Sequence, residues 1–344
     1  MTTYSKRSLF ILLVPLWFLL GCGAPVKNKP EEKSAARPAM AVVNSEASLL
    51  LKSLEESGDY VNTKNFPSLI KASVVNEELN KKNLLIDLRD PSLFAGGHIK
   101  GAVNVQFSDL PVFLESKVKP FEYEKIIMIC STGQISSYAT SLLRLMGYGN
   151  VYAMRWGMSG WNKKFADDFW LKEISGKYED KLEKKDNPPA PPADLPLLKT
   201  GKNSGDEIRD LQFRKVIAEG ANAALITADE VFLKPENFYI INFERKDKYD
   251  SGHIPGAVRY KQNGTLGILS EMQTIPADKT IVVYCGTGHN SAFATAYLRL
   301  FGYNAKTLVY GNNAFMLNQM IRDKATLSWL PFSVADVNDF PVVK

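Results

Sequence analysis

The chain is poor in the residues that make metal sites: three cysteines and three histidines occur in 344 residues. No His/Cys cluster has ligand spacing, so neither a zinc site nor any other metal or cofactor is expected. Concentrated positive charge is also missing. The 42 basic and 37 acidic residues are interspersed, with a net charge of +5. No basic block carries interleaved aromatics, which argues against a nucleic-acid partner. Long apolar runs are absent too. The run at Leu9–Leu20 falls short of the ~20 residues a spanning helix needs. What remains is ordinary globular material, 45% hydrophobic and 23% charged, long enough for two domains.

That apolar run has telling flanks. Lys6 and Arg7 precede it, and Leu19-Leu20-Gly21-Cys22 ends it. The stretch resembles a bacterial lipoprotein signal, which implies removal of residues 1–21 and lipidation of Cys22. By this resemblance the protein is an exported lipoprotein of the bacterial cell envelope, held to a membrane by acyl chains. Gly23 is not an aspartate, so the outer membrane or periplasmic side is expected where the host has two membranes. Residues 22–60 then read as a flexible, polar tether ending in a short helix at Ser48–Tyr60.

The rest of the chain repeats itself. "GHIKGAV" at Gly97–Val103 returns as "GHIPGAV" at Gly252–Val258. "LRLMGY" at Leu143–Tyr148 returns as "LRLFGY" at Leu298–Tyr303, and "LLIDLR" at Leu84–Arg89 as "YIINFE" at Tyr239–Glu244. Cys130 and Cys285 keep the same offset, 155 residues. The chain is a duplicated domain. Between the copies, Lys177–Glu207 is rich in charge and proline; Pro188–Pro196 is expected to be stiff and extended, an interdomain spacer.

Each copy alternates short apolar runs ("NLLIDL", and the β-branched-rich "KIIMIC" and "TIVVYC") with helical patterns, which predicts a mainly parallel sheet covered by helices. After the first cysteine, Ala139, Leu142, Leu143 and Met146 fall on one helical face, and Gly147 stops the helix. Both cysteines stand at the carboxyl end of a strand, where such folds bind ligands.

Export sharpens the question of the thiols, because paired cysteines outside the cytosol usually form disulfides. Cys130 and Cys285 lie in separate copies of one motif, so a structural bridge is not expected. Each is followed by a glycine, Gly133 or Gly288, that permits a tight turn with inward amides, and then by a helix whose N-terminus faces the loop. Such a setting favours thiolate and predicts titration below the free-thiol value of about 8.5 at both sites. A thiolate there is a nucleophile, and the amides cradle its anionic adducts.

Asp87-Leu88-Arg89, "GHIKGA", "CSTGQIS" and "RWGMSGW" together resemble the rhodanese family of sulfurtransferases. The resemblance implies two tandem α/β domains, at 61–176 and 208–344, each a central mainly parallel sheet flanked by helices. It implies that Cys130 and Cys285 carry sulfur as persulfides, taken from a small anionic donor of thiosulfate or 3-mercaptopyruvate type and passed to a thiol or cyanide. Ser131, Thr132, Gly133, Gln134, Ile135 and Ser136 would bind substrate in the first loop, and Gly286, Thr287, Gly288, His289, Asn290 and Ser291 in the second. Family loops often carry arginine five residues after the cysteine; Ile135 and Asn290 stand there instead, which weakens capture of a dianion. The second copy also replaces the Asp-x-Arg pair by Asn242 and Glu244. The alternative to an enzyme is therefore a rhodanese-like binding or sulfur-sensing module. A related cysteine phosphatase would need arginine six residues after the cysteine, where Ser136 and Ser291 lie.

Four further residue sets are placed by type. His98 and His253 are expected to support the fold. His289 faces either substrate or solvent. Trp156 and Trp161 belong to core or pocket wall, and Arg144 and Arg299 to structural ion pairs.

Overall fold

The computed structural model describes residues 45–264, 266 and 271–344. The export signal, Cys22 and most of the tether lie outside the described residues. Among the described residues no helix is long and apolar enough to cross a membrane.

Two five-stranded sheets follow one plan. In the first copy, β1 (Leu69–Ile70), β2 (Asn83–Asp87), β3 (Val103–Asn104), β4 (Lys125–Ile129) and β5 (Val151–Met154) are ordered β1-β5-β4-β2-β3. In the second, β6 (Leu225–Ile226), β7 (Phe238–Asn242), β8 (Val258–Arg259), β9 (Thr280–Tyr284) and β10 (Ala305–Leu308) are ordered β6-β10-β9-β7-β8. Every pairing within the sheets is parallel. The central strands β4 and β9 are buried from their second residue onward, as unbroken apolar, β-branched runs require when helices cover both faces. Each delivers its cysteine to the sheet's carboxyl edge.

A helix follows each cysteine loop, Gln134–Leu145 and His289–Leu300, and the two pack against one another. In the first of them the expected apolar face is buried, and the polar side chains are buried beside it. Ser136, Ser137, Thr140 and Ser141 are as buried as Ala139 and Leu142: Ser136 turns to its own cysteine loop, and Ser141 meets the other copy. Ser141 Oγ donates to the Phe293 carbonyl at 2.9 Å across this contact. Helices ahead of each copy, Glu46–Glu56 and Gly205–Glu219, also pair. The second begins inside the segment expected to be spacer.

That segment does not separate two bodies. The described residues form one compact unit, and the chain after each copy crosses to the other. After the first copy, Glu183 pairs antiparallel with His253, and Tyr178 N donates to the Phe315 carbonyl at 3.1 Å. After the second, Val343 pairs antiparallel with His98, and Phe340 N donates to the Trp161 carbonyl at 3.0 Å. Proline and charge suit an extended strand that lies along a neighbour as well as one that spans solvent; composition does not separate these cases. The two histidines of the Gly-His-Ile blocks anchor the crossings. His98 stacks on Phe94 and His253 on Tyr249, each with centroids 3.7 Å apart.

The arginine pair divides. Arg299 bonds Glu219 in an ion pair. Arg144 has none among the described residues; its guanidinium lies over the rings of Tyr60 and Tyr152, at 5.4 and 4.7 Å, and its Nε donates to the Val151 carbonyl. A backbone carbonyl and two aromatic faces meet the cation in place of a carboxylate.

Candidate active site

Gly133 and Gly288 open the two loop helices with φ of +88° and +75°, the left-handed turn that the cysteine loops need. The turn folds the following amides back onto sulfur. Cys130 Sγ accepts from Gly133 N at 3.1 Å and Ser136 N at 3.3 Å, while the thiol donates to Ser136 Oγ at 3.4 Å. Cys285 Sγ accepts from Ser291 N at 3.4 Å, and its thiol donates to Ser291 Oγ at 3.6 Å. Both thiols are free and buried. A second turn closes each loop from beneath. Met158 N and Asn312 N donate to the Cys130 and Cys285 carbonyls, at 2.8 and 3.0 Å. Gly157 and Gly311 permit that approach: a Cβ at either would collide with the cysteine's own carbonyl.

The two sites then differ. Arg89 holds Asp87 with a two-point ion pair, Nη2 to Oδ2 at 2.7 Å and Nε to Oδ1 at 3.0 Å, and its Nη1 is buried without an acceptor. At the equivalent place the second copy has Glu244. Its carboxylate accepts from Gly286 N and meets Lys248 Nζ at 3.4 Å. Burial pushes the Glu244 carboxyl above its ordinary value, with Lys248 opposing. Burial, and then the Glu244 charge, push the Cys285 thiol up as well. The expectation of a lowered pKa at both cysteines is thus corrected at Cys285: one helix N-terminus does not outweigh full desolvation beside a carboxylate. Gly286 N, expected in the sulfur's cradle, is spent on that carboxylate.

Each thiol opens into a cavity walled by both copies. The Cys130 cavity, about 590 Å³, is lined by Ser131, Thr132, Gln134 and Ile135 of the loop, by Arg89 and Asp90, and across the interface by Glu219, Asn222, Val309 and Tyr310. The Cys285 cavity, about 250 Å³, is lined by Gly286, Thr287 and Asn290, by Glu244, Arg245 and Lys248, and by Pro67, Leu69 and Arg155 of the first copy. Sequence reasoning missed every one of these cross-copy residues. They lie far along the chain from the cysteine they face, and no motif marks them.

A profile of the rhodanese-like domain matches residues 71–164 and 229–318, together more than half of the chain. The chain belongs to the rhodanese-like domain family. Among curated proteins, a thiosulfate sulfurtransferase GlpE of Pseudoalteromonas translucida is 31% identical over 93 residues, 26% of this chain and 85% of that protein. The protein of that name from Tolumonas auensis is 32% identical over 77 residues, 22% of this chain and 70% of its own. Among solved structures, the 3-mercaptopyruvate sulfotransferase SseA of Escherichia coli covers 71% of this chain and 98% of its own, at 18% identity and a TM-score of 0.25.

In this tandem rhodanese-like chain the residue after each loop glycine serves the other copy. His289 was open between substrate and solvent and faces neither. Its Nε2 accepts from Trp156 N at 3.2 Å, and its Nδ1 bonds Thr287 Oγ1 at 2.9 Å. Trp156 meets its ring edge-on and Trp170 lies parallel to it, with centroids 5.1 and 6.0 Å away. Trp156 is thus interface wall, whereas Trp161 is core packed on Phe340. Burial pulls the His289 pKa down to about 3, with the Arg155 charge acting the same way. Gln134, its counterpart, is buried against Gly288 of the second loop.

Proposed function

We propose that this chain is a sulfurtransferase that carries sulfur as a cysteine persulfide, with Cys130 as the principal carrier. The observation that carries this reading is the two backbone amides aimed at Cys130 Sγ at 3.1 and 3.3 Å, at the wall of a cavity large enough for a donor and then an acceptor. In the loading step the Cys130 thiolate attacks the outer sulfur of a donor such as thiosulfate. A Cys–S–S⁻ bond forms, the donor's S–S bond breaks, and sulfite leaves with the electron pair. An acceptor thiolate or cyanide then attacks the outer persulfide sulfur and returns Cys130 as thiolate. The amides stabilise the anion at each stage by charge-assisted hydrogen bonds. The curated relatives named thiosulfate sulfurtransferase support this class. A binding or sulfur-sensing module is the second reading, favoured by Ile135 on the cavity wall and by Asn290, whose amide donates to Gln262 at 2.9 Å.

Intact-mass measurement after incubation with thiosulfate, 3-mercaptopyruvate or polysulfide tests the proposal. One sulfur gained on the peptide containing Cys130, and lost on adding cyanide, is expected. No sulfur gained from any donor leaves the binding module.

The protein acts, on this proposal, from the cell envelope, tethered by lipid on Cys22. Replacing Cys22 with Ser abolishes acylation and moves the protein from the membrane to the soluble fraction. Membrane partition unchanged in that variant removes the tether from the proposal.

A further inference from the structure

The two cavities carry opposite charge once paired groups are set aside. Around Cys130, Arg89 is neutralised by Asp87 and Glu219 by Arg299. Asp90 remains, exposed at the rim and without a partner of its own. Around Cys285, Glu244 is matched by Lys248 and Arg245 by Asp247. Arg155 remains. It is half-buried, and its guanidinium makes no hydrogen bond or ion pair among the described residues. Its nitrogens reach solvent, so water meets these N–H donors in the free protein, and a small anion that enters the cavity can take the place of that water. The charge nearest Arg155 in the C-terminal segment is Asp336, whose carboxylate accepts from Ser333 and lies beyond ion-pair range of Arg155.

The placement of Arg155 follows from the repeat. Arg155 N donates to the Ile70 carbonyl, as Val309 N does to that of Ile226, both at 2.9 Å. Arg155 and Val309 are therefore equivalent positions just after the last strand of each sheet, each presented to the other copy's cysteine. The first copy gives Cys285 an arginine; the second gives Cys130 a valine.

We propose that Arg155, a residue of the first copy, is the specificity-determining cation of the Cys285 cavity, and that it fits this cavity to a small anion bearing the transferable sulfur. The loop position that lacks arginine, Asn290, is thereby replaced by a cation supplied across the interface. A cavity of about 250 Å³ suits a ligand of a few heavy atoms. The Cys130 cavity, with valine in that place and an acidic rim, has no such preference. The proposal rests on sulfur transfer only for what happens after the anion binds.

The test uses the full chain and two reagents. Thiosulfate loads a persulfide, with sulfite leaving, and that persulfide is trapped by iodoacetamide; the neutral dimethyl trisulfide leaves a methyl trisulfide or disulfide on the cysteine, with methanethiolate or methyl persulfide leaving, and that adduct is weighed directly. Each product is counted separately at Cys285 and Cys130. Arg155→Leu is expected to slow loading of Cys285 from thiosulfate about tenfold or more, to leave its loading from dimethyl trisulfide within about twofold, and to spare Cys130. Arg155→Lys, which keeps the charge, restores part of the thiosulfate rate. Equal loss with both donors would mean that Arg155 only supports the fold, and it overturns the proposal, as does no loss with either. Thiosulfate binding measured by calorimetry on Cys285→Ser, with and without Arg155→Leu, separates this claim from the transfer chemistry. Weaker binding on losing Arg155 supports the anion site even if no sulfur is transferred, and unchanged binding refutes it.

Discussion

Glu244 stands where the first copy has Arg89, and one reversed charge sets the two thiols apart. In Glu244→Gln the carboxylate's repulsion disappears while the Lys248 charge stays. The Cys285 pKa is expected to fall. The pH dependence of Cys285 alkylation in a Cys130→Ser background reads it; a midpoint that does not move would leave burial as the whole cause. His289 gives a second residue-scale expectation. Its pKa of about 3 in the fold lies below its ordinary 6.5, so the fold binds the neutral ring. That contribution is fully present above pH 6.5 and is lost as pH falls towards 3. Between pH 7 and 5 the loss comes to about 2 kcal/mol. His289→Gln, which imports the first copy's residue, removes that acid sensitivity. Urea unfolding at the two pH values checks it, and an equal fall in stability for both chains would contradict it.

The turns beneath the cysteines were partly legible as elements. Apolar β-branched runs placed β4 and β9, and a Cys-x-x-Gly spacing placed the loops, because these depend on neighbours in sequence. Burial of Ser137 and Ser141 was not legible. A small polar residue faces solvent or another helix with equal ease, and only the packing of the second copy decides. The same limit hid Arg155, Val309 and Tyr310 from any reading of the loops, and it left His289 undetermined. Gly157 tests the turn itself. It has φ of +57° and sits against the Cys130 carbonyl, whereas Gly58, at +106°, has open space around its Cα. Gly157→Ala is expected to cost roughly 2 kcal/mol or more and to disturb Cys130 alkylation. Gly58→Ala should cost about 1 kcal/mol and leave alkylation alone. Similar effects at the two positions would show that backbone strain, not the approach to the cysteine, is what matters.

At the scale of the whole molecule, the duplication announced itself through four blocks in one register, and with it the tandem α/β architecture. The exchange of the chain ends did not, since nothing in a proline-rich or C-terminal sequence says which copy it will lie on. The exchange predicts a crossed effect. Deleting residues 331–344 removes Phe332 from Trp156, Phe340 from Trp161 and the strand partner of His98. Hydrogen exchange should then quicken around residues 98–104 and 158–170, in the first copy, while β7 and β9 in the second stay protected. Loss of protection confined to the second copy would contradict the crossing.

The crossing also sets an order of events at the ribosome. Trp161 donates its indole N–H to the carbonyl of Pro341, at 2.9 Å. The first copy's chain is complete once residue 176 has been made, yet its indole edge lacks this mate until Pro341 is polymerised. At translation speeds of roughly 5–20 residues per second, that is a wait of about ten to thirty seconds. For that interval a hydrophobic flank of the half-made protein stays bare. Its cover is made more than 150 residues later, so a chain cut short before Phe332 leaves the earlier-made domain unfinished.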